Sequence, residues 1–215
     1  VVTTEEIAPG VWFLAGQSHH SVLVEFADHL TLIEAPLSEA RTLAVIAKAR
    51  ELRPGKPLTH LVTTHHHFDH TAGLRAAISE GLTVMTHEGN KTFVETMARR
   101  THSRQPDALT RNPKNVTVET VGADRVLRDA TLEVDLYHVA GSPHSDTMLM
   151  AYIPKARALV EVDVFSPGAA VQPYAANLIE NVTNRKLRID RIVPLHGAVV
   201  PFAELTKAQT ASVAK

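Results

Sequence analysis

Cysteine is absent from the 215-residue sequence. That absence removes disulfides, thiolate metal sites, iron–sulfur clusters and cysteine nucleophiles together. A surplus of either charge is missing too: 22 Lys and Arg stand against 23 Asp and Glu, a formal net charge of -1. Binding to nucleic-acid backbones or anionic lipid by general electrostatics is therefore not expected. No apolar run approaches the roughly 18 residues of a membrane-spanning helix. The first ten residues carry Glu5 and Glu6 and no basic start or apolar stretch, so no signal peptide is expected in them. The sequence names no compartment: a soluble protein of the cytoplasm, or of the periplasm if a leader preceded Val1, fits equally. Repeats, low-complexity tracts and Pro/Gly/Ser-rich linkers are also missing. With 44% hydrophobic and 21% charged residues, the composition is globular, and one domain over 1–215 is expected.

Patterning along the chain predicts strands at 11–14, 21–26 and 30–33, then a helix over 39–52 closed by Pro54-Gly55. A strand at 58–63 runs into a histidine cluster, and Ala72, Ala76, Ala77 and Ile78 recur at helical spacing over 69–80. A strand at 82–85, a polar helix over 90–100 and a loop with Pro106 and Pro113 follow. The second half predicts strands at 116–121, 131–139, 148–153, 158–162 and 192–195, with helices at 176–185 and 202–212. Strands outnumber helices, but helices recur in both halves, which suggests an α/β architecture of sheets covered by helices.

What the sequence has in excess is histidine, 13 in all. In Thr63-Thr64-His65-His66-His67-Phe68-Asp69-His70, a strand opens into a helix. Alternation puts His65 and His67 on one side and turns His66 away. Asp69 and His70 follow a turn later. Imidazoles and a carboxylate so spaced can hold two metal ions, with zinc the best match and iron or manganese acceptable. The rival reading is a solvated histidine-rich turn. In α/β sheets ligands gather beyond the carboxyl ends of strands, and three more such ends carry metal-type side chains: His144, Asp163 and His196. Glu161 competes with Asp163, since it shares that strand face.

This set resembles the metallo-β-lactamase superfamily of metallohydrolases. The cluster matches the family's His-x-His-x-Asp-His motif, with Thr64 before it and Gly73 after it. His144, Asp163 and His196-Gly197 match the remaining metal motifs in the same order. The likeness runs from Gly10-Val11-Trp12 to the last helix. It implies a four-layer αββα sandwich with two zinc ions at one edge. One ion would be held by His65, His67 and His144, the other by Asp69, His70 and His196, and Asp163 would bridge them. Val162 stands where the family usually has glycine. The runs Leu32-Ile33-Glu34-Ala35-Pro36 and Glu161-Val162-Asp163-Val164-Phe165 resemble a less characterised branch.

The resemblance implies a hydrolase in which a metal-bridging hydroxide attacks the carbonyl of a small-molecule substrate. Asp69 would orient it and pass on its proton as the catalytic carboxylate. Lactamase subclasses that use a cysteine ligand are excluded, and the remaining one normally lacks the bridging aspartate. The likeness to glyoxalase II stops at the metal site, because a short tail follows His196. A small ester, thioester, lactone or amide is the expected substrate. The alternatives are a mononuclear iron dioxygenase of the persulfide-dioxygenase type, weak β-lactamase activity, or a non-catalytic binding module. Substrate-binding candidates are His20, from the His19-His20 loop, with Tyr174 and Asn177. Ser145 or Asp146 could steady a ligand imidazole. His29, His60, His87, His102 and His138 read as structural or surface residues.

Overall fold

In β2 (Val11–Ala15), Val11 and Phe13 face one apolar core while Trp12 and Leu14 face another. The same parity divides Val22 and Val24 from Leu23 in β3 (Ser21–Glu25). Strands buried on both faces must sit between two layers, and the structure, a computed structural model describing residues 1–213, supplies them. One sheet runs β1 (Thr3–Ala8), β2, β3, β4 (Leu30–Ile33), β5 (Leu58–Val62), β6 (Thr83–His87), β7 (Val118–Val121). The other runs β13 (Val200–Pro201), β12 (Arg191–Pro194), β11 (Ala158–Glu161), β10 (Leu149–Ile153), β9 (Glu133–His138), β8 (Asp124–Arg128).

Outside the first sheet, α1 (Glu39–Leu52), α3 (Leu74–Ser79) and α4 (Lys91–Arg99) contribute Val45, Ile46, Leu74, Ile78 and Val94 to the core containing Trp12 and Leu14. Outside the second sheet, α6 (Ala175–Asn184) and α7 (Ala203–Val213) contribute Leu178, Val182 and Leu205. The result is the expected αββα layering. Strands β4 to β7 are mutually parallel, as are β11 and β12. Crossover helices between them leave their carboxyl ends aligned at one end of each sheet.

Three strands were not foreseen. β1 is polar and mostly exposed, and β8 alternates exposed with half-buried residues. Both are joined to a neighbour by backbone pairing, and charged, short edges carry little apolar signal. β13 is two residues long. The single helix expected over 69–80 is broken into α2 (Phe68–Thr71) and α3. Gly73 marks the break: a Cβ there would lie 1.8 Å from Thr42 Oγ1, and its N–H donates to Ala35 O at 3.1 Å. The chain must pass close to the loop after β4 at that point, and only glycine allows it.

A buried ion pair ties the outer helices together. Arg75 of α3 is 7% exposed, donates to Met97 O and Ala98 O at the end of α4, and forks onto Asp107. Asp107 in turn caps the short α5 (Ala108–Arg111) by accepting from Thr110 N at 2.9 Å. The Arg75 guanidinium outweighs partial burial and holds the Asp107 carboxyl well below the usual range. A depressed carboxyl stabilises the fold above its unfolded pKa and loses that contribution as pH falls. Asp107→Asn should therefore lower unfolding free energy at pH 7 by about 3 kcal/mol, the scale for a buried charge left without its partner. Denaturant titrations should show the gap between variant and parent narrowing below about pH 4. A gap unchanged down to pH 2 would contradict this role.

Candidate metal centre

The site begins at the end of β5. Leu149 N donates to Thr64 O at 2.8 Å, stitching this end to the second sheet. The next residue, His65, is fully buried. Alternation then acts as expected. His65 and His67 lie together, ring centroids 4.5 Å apart, and His144 reaches within 4.6 Å of His67. His66 is exposed, turned toward Thr147 and Phe93.

Asp163 follows β11, and its backbone is left-handed, with φ 62°. Aspartate tolerates that region better than most residues, and neighbours hold it there. Val162 before it is buried in the core. Tyr174 Oη donates to Asp163 O at 2.9 Å, and Val164 N donates to Glu161 Oε2 at 3.0 Å. Glu161 is thus a buckle beneath the turn and is not among the clustered metal-type donors. Complete burial pushes its carboxyl up to about 8.

Four imidazole nitrogens surround the Asp163 carboxylate. Nε2 of His144, His70 and His65 lie 3.0, 3.1 and 3.2 Å from Oδ2, and His196 Nε2 lies 2.8 Å from Oδ1. Burial would raise this carboxyl, but hydrogen bonds from His196, His65 and His70 hold it far below the ordinary range. Burial lowers His67 and, against the pull of Asp163, His144, so both favour the neutral form that ligates metal.

The spacing itself tests whether metal fits. His144 Nε2 and His65 Nε2 are 3.3 Å apart, and His196 Nε2 and His70 Nε2 are 3.2 Å apart. Zinc–nitrogen bonds of about 2.0–2.1 Å put tetrahedral donors about 3.3 Å from each other. Two sets of donors, each within 4.8 Å, result: His65, His67, His144 and Asp163, and His19, Asp69, His70 and His196. All seven residues singled out as ligands come together here.

Two participants were missed. Glu34, at the end of β4, has φ 77° and a buried side chain. Its Oε2 accepts from His70 Nδ1 and its Oε1 from Thr64 N, both at 2.6 Å. A carboxylate on Nδ1 fixes the tautomer that leaves Nε2 facing the site. Burial alone would depress His70, yet the Glu34 and Asp163 carboxylates raise it to about 10. The second is His19, passed over for its neighbour His20 in the same loop; its Nε2 lies 3.1 Å from Asp69 Oδ2.

Other expectations need correction. His20 keeps the parity of Val22 and Val24. Its ring packs on Phe13 at 4.9 Å and accepts from Gly16 N, and burial drives it down to about 4. Asn177 does not line the cleft with its amide: Nδ2 donates to Ala140 O at 2.9 Å, bracing the loop that carries His144. Tyr174 does border the site, its ring 5.2 Å from that of His144. Ser145 pairs with Thr147 rather than with a ligand imidazole, and Asp146 offers its backbone oxygen to His138. His29, His60, His87, His102 and His138 lie outside both donor sets.

Layered sheets with paired histidine–aspartate clusters at the strand ends define a metal-dependent hydrolase. The model of the Metallo-beta-lactamase superfamily matches residues 14–160, and the chain belongs to that superfamily. Its fold is similar to a metallo-beta-lactamase from Pontibacter korlensis, at 17% identity over 99% of each chain with a TM-score of 0.74. The metallo-beta-lactamase FIM-1 from Pseudomonas aeruginosa, solved in a mono-zinc form, is 15% identical over 99% of this chain and 96% of that one, TM-score 0.72. A metallo-beta-lactamase from Hirschia baltica is 17% identical over 97% and 96%, TM-score 0.68.

Glu34→Gln should expose how much the site leans on this buried carboxylate. The amide keeps an acceptor for Thr64 N but sets its NH2 against His70 Nδ1–H. We expect a loss of about 3–5 kcal/mol in the chelator-treated protein, the cost of breaking a buried pair. Urea unfolding measures it, and a loss below about 1 kcal/mol, the scale of a surface pair, would show that Glu34 is not holding His70.

Proposed function

We propose that the chain is a binuclear zinc hydrolase acting on the carbonyl of a small ester, thioester, lactone or amide. The observation that carries this reading is Asp163, one carboxylate with imidazole nitrogens closing on both its oxygens. His65, His67 and His144 would hold one ion, Asp69, His70 and His196 the other, with Asp163 between them. Bound there, the pair of ions supplies an acidified water and electrophilic activation of a carbonyl oxygen.

The chain's own residues do the rest. Asp69 is half-buried, and although burial opposes it, hydrogen bonding by His19 keeps its carboxyl low, so it is ionised and able to accept a proton at neutral pH. Tyr174 and Glu161 hold the strained turn that aims Asp163. Glu34 keeps the His70 proton on Nδ1. Phe68, between His67 and Asp69, is 78% exposed and lines a cavity of about 450 Å³ with Phe93 and Met97. None of the clustered metal-type donors lines that cavity. No helix among the described residues is long and apolar enough to cross a membrane.

Metal analysis of protein purified without added metal, followed by an ester, lactone and β-lactam panel, tests the reading. Two zincs per chain with ester or lactone turnover supports it. One iron per chain would favour the dioxygenase, and turnover confined to β-lactams would make the chain a lactamase. Asp163→Asn should weaken the second metal far more than the first, which keeps three imidazoles, and should lower hydrolysis steeply. Glu161→Gln, close to the protonated form of that residue, should retain both metals. Metal loss in Glu161→Gln with retention in Asp163→Asn would reverse the assignment.

A further inference from the structure

The loop between β2 and β3 brings His19 to the second donor set, and its surroundings are arranged to point one nitrogen there. Ser18 Oγ lies 2.8 Å from His19 Nδ1. With metal on Nε2, the atom beside Asp69 Oδ2, the ring proton would sit on Nδ1 and be donated to that hydroxyl; without metal, Nε2–H donates to Asp69 and Nδ1 accepts from Ser18. The ring lies 3.9 Å from that of His196 and 5.6 Å from that of His70, centroid to centroid. Only 13% of the side chain is exposed.

The backbone of the loop is fixed at several points. His20 N donates to Leu195 O at 2.9 Å, joining the loop to the residue just before His196. Beneath it, Arg41 is 5% exposed and donates through Nη2 to Leu14 O at 3.3 Å and His19 O at 3.4 Å. Gly16 allows the close approach: a Cβ there would lie 2.7 Å from Arg41 Nη1 and 2.6 Å from Val1 O. His20 anchors the far side on Phe13. These contacts position His19 before any ligand arrives, so ordering it at the site would cost little entropy.

We propose that His19 is a fourth protein ligand of the second metal, an inference that rests on the binuclear reading above. The second position then has His19, Asp69, His70 and His196, with Asp163 shared, whereas the first has three imidazoles and the shared carboxylate. The second position would thus have five protein donors and the first four. Zinc is usually four-coordinate and sometimes expands to five during reaction. The second is then filled by protein and anchors Asp163, and the first retains the one added place for a substrate oxygen.

The test uses the full chain labelled with 15N-histidine and loaded with zinc to saturation, with stoichiometry measured directly. Ring-nitrogen shifts separate metal-bound Nε2 from protonated and free nitrogens. Two zincs and six metal-bound imidazoles, one vanishing in His19→Ala, is the expected result. The variant should also bind its second zinc more weakly by more than the roughly 100-fold that loss of a supporting hydrogen bond produces. Two zincs with a free His19 Nε2 in the parent protein would overturn the inference and leave the binuclear reading standing. One zinc per chain would overturn both. The parent spectrum decides the matter even if the variant fails to fold.

Discussion

One carboxylate organises this molecule's functional end. Asp163 draws His65, His70, His144 and His196 to within 3.2 Å although they come from the ends of two strands, a short helix and a connecting loop. Without a negative charge at the centre, that many imidazoles would repel any cation they shared and one another once protonated. The left-handed backbone at Asp163 is a local cost, of the kind that persists at functional sites when surrounding contacts over-determine it. Here the over-determining contacts are visible: the Tyr174 hydroxyl on its carbonyl, the Glu161 carboxyl under the following turn, and Val162 locked in the core.

The same device occurs on the opposite sheet. Glu34 also ends a strand, also has positive φ, and also turns a carboxylate inward, where it meets His70 from behind. His70 therefore lies between two carboxylates, Glu34 on Nδ1 and Asp163 on Nε2. Each sheet supplies one strained acidic residue, and the histidine between them couples the sheets. Parallel strand ends make this feasible, because they present several chain termini in one place. Burial of both strand faces then keeps those ends from moving independently.

Much of this was legible in the sequence because periodicity and chemistry agreed. His65 and His67 share a face by strand alternation, and His66 is thrown outward, as the structure has it. The layering was legible too, since β2, β3 and β4 are apolar on both faces. What escaped detection lacked such a signal. β1 and β8 are held by backbone pairing at sheet edges, and the break at Gly73 depends on Thr42, distant in sequence. Glu34 stood out only as part of the run Leu32-Ile33-Glu34-Ala35-Pro36, because nothing local says that His70 will sit behind it. His19 and His20 are adjacent, and only the parity of Val22 and Val24 assigns His20 to the inter-sheet core; extended by one pair, that parity would have turned attention to His19.

Charge balance gives the centre its chemical direction. Asp69, Asp163 and Glu34 bring three carboxylates to a site whose other donors are imidazoles, and burial lowers His19, His67 and His144 toward the neutral form. Two divalent ions against three carboxylates would leave roughly one positive charge in a buried, low-dielectric space, where it is worth far more than in water. A site with that residue of charge favours anions: a deprotonated water over a neutral one, and a carbonyl oxygen that gains negative charge over one that does not. A fourth carboxylate would cancel the bias. Replacing a ligand histidine by aspartate would therefore change more than geometry, and imidazoles rather than carboxylates around Asp163 would let such a site hold two cations without neutralising them.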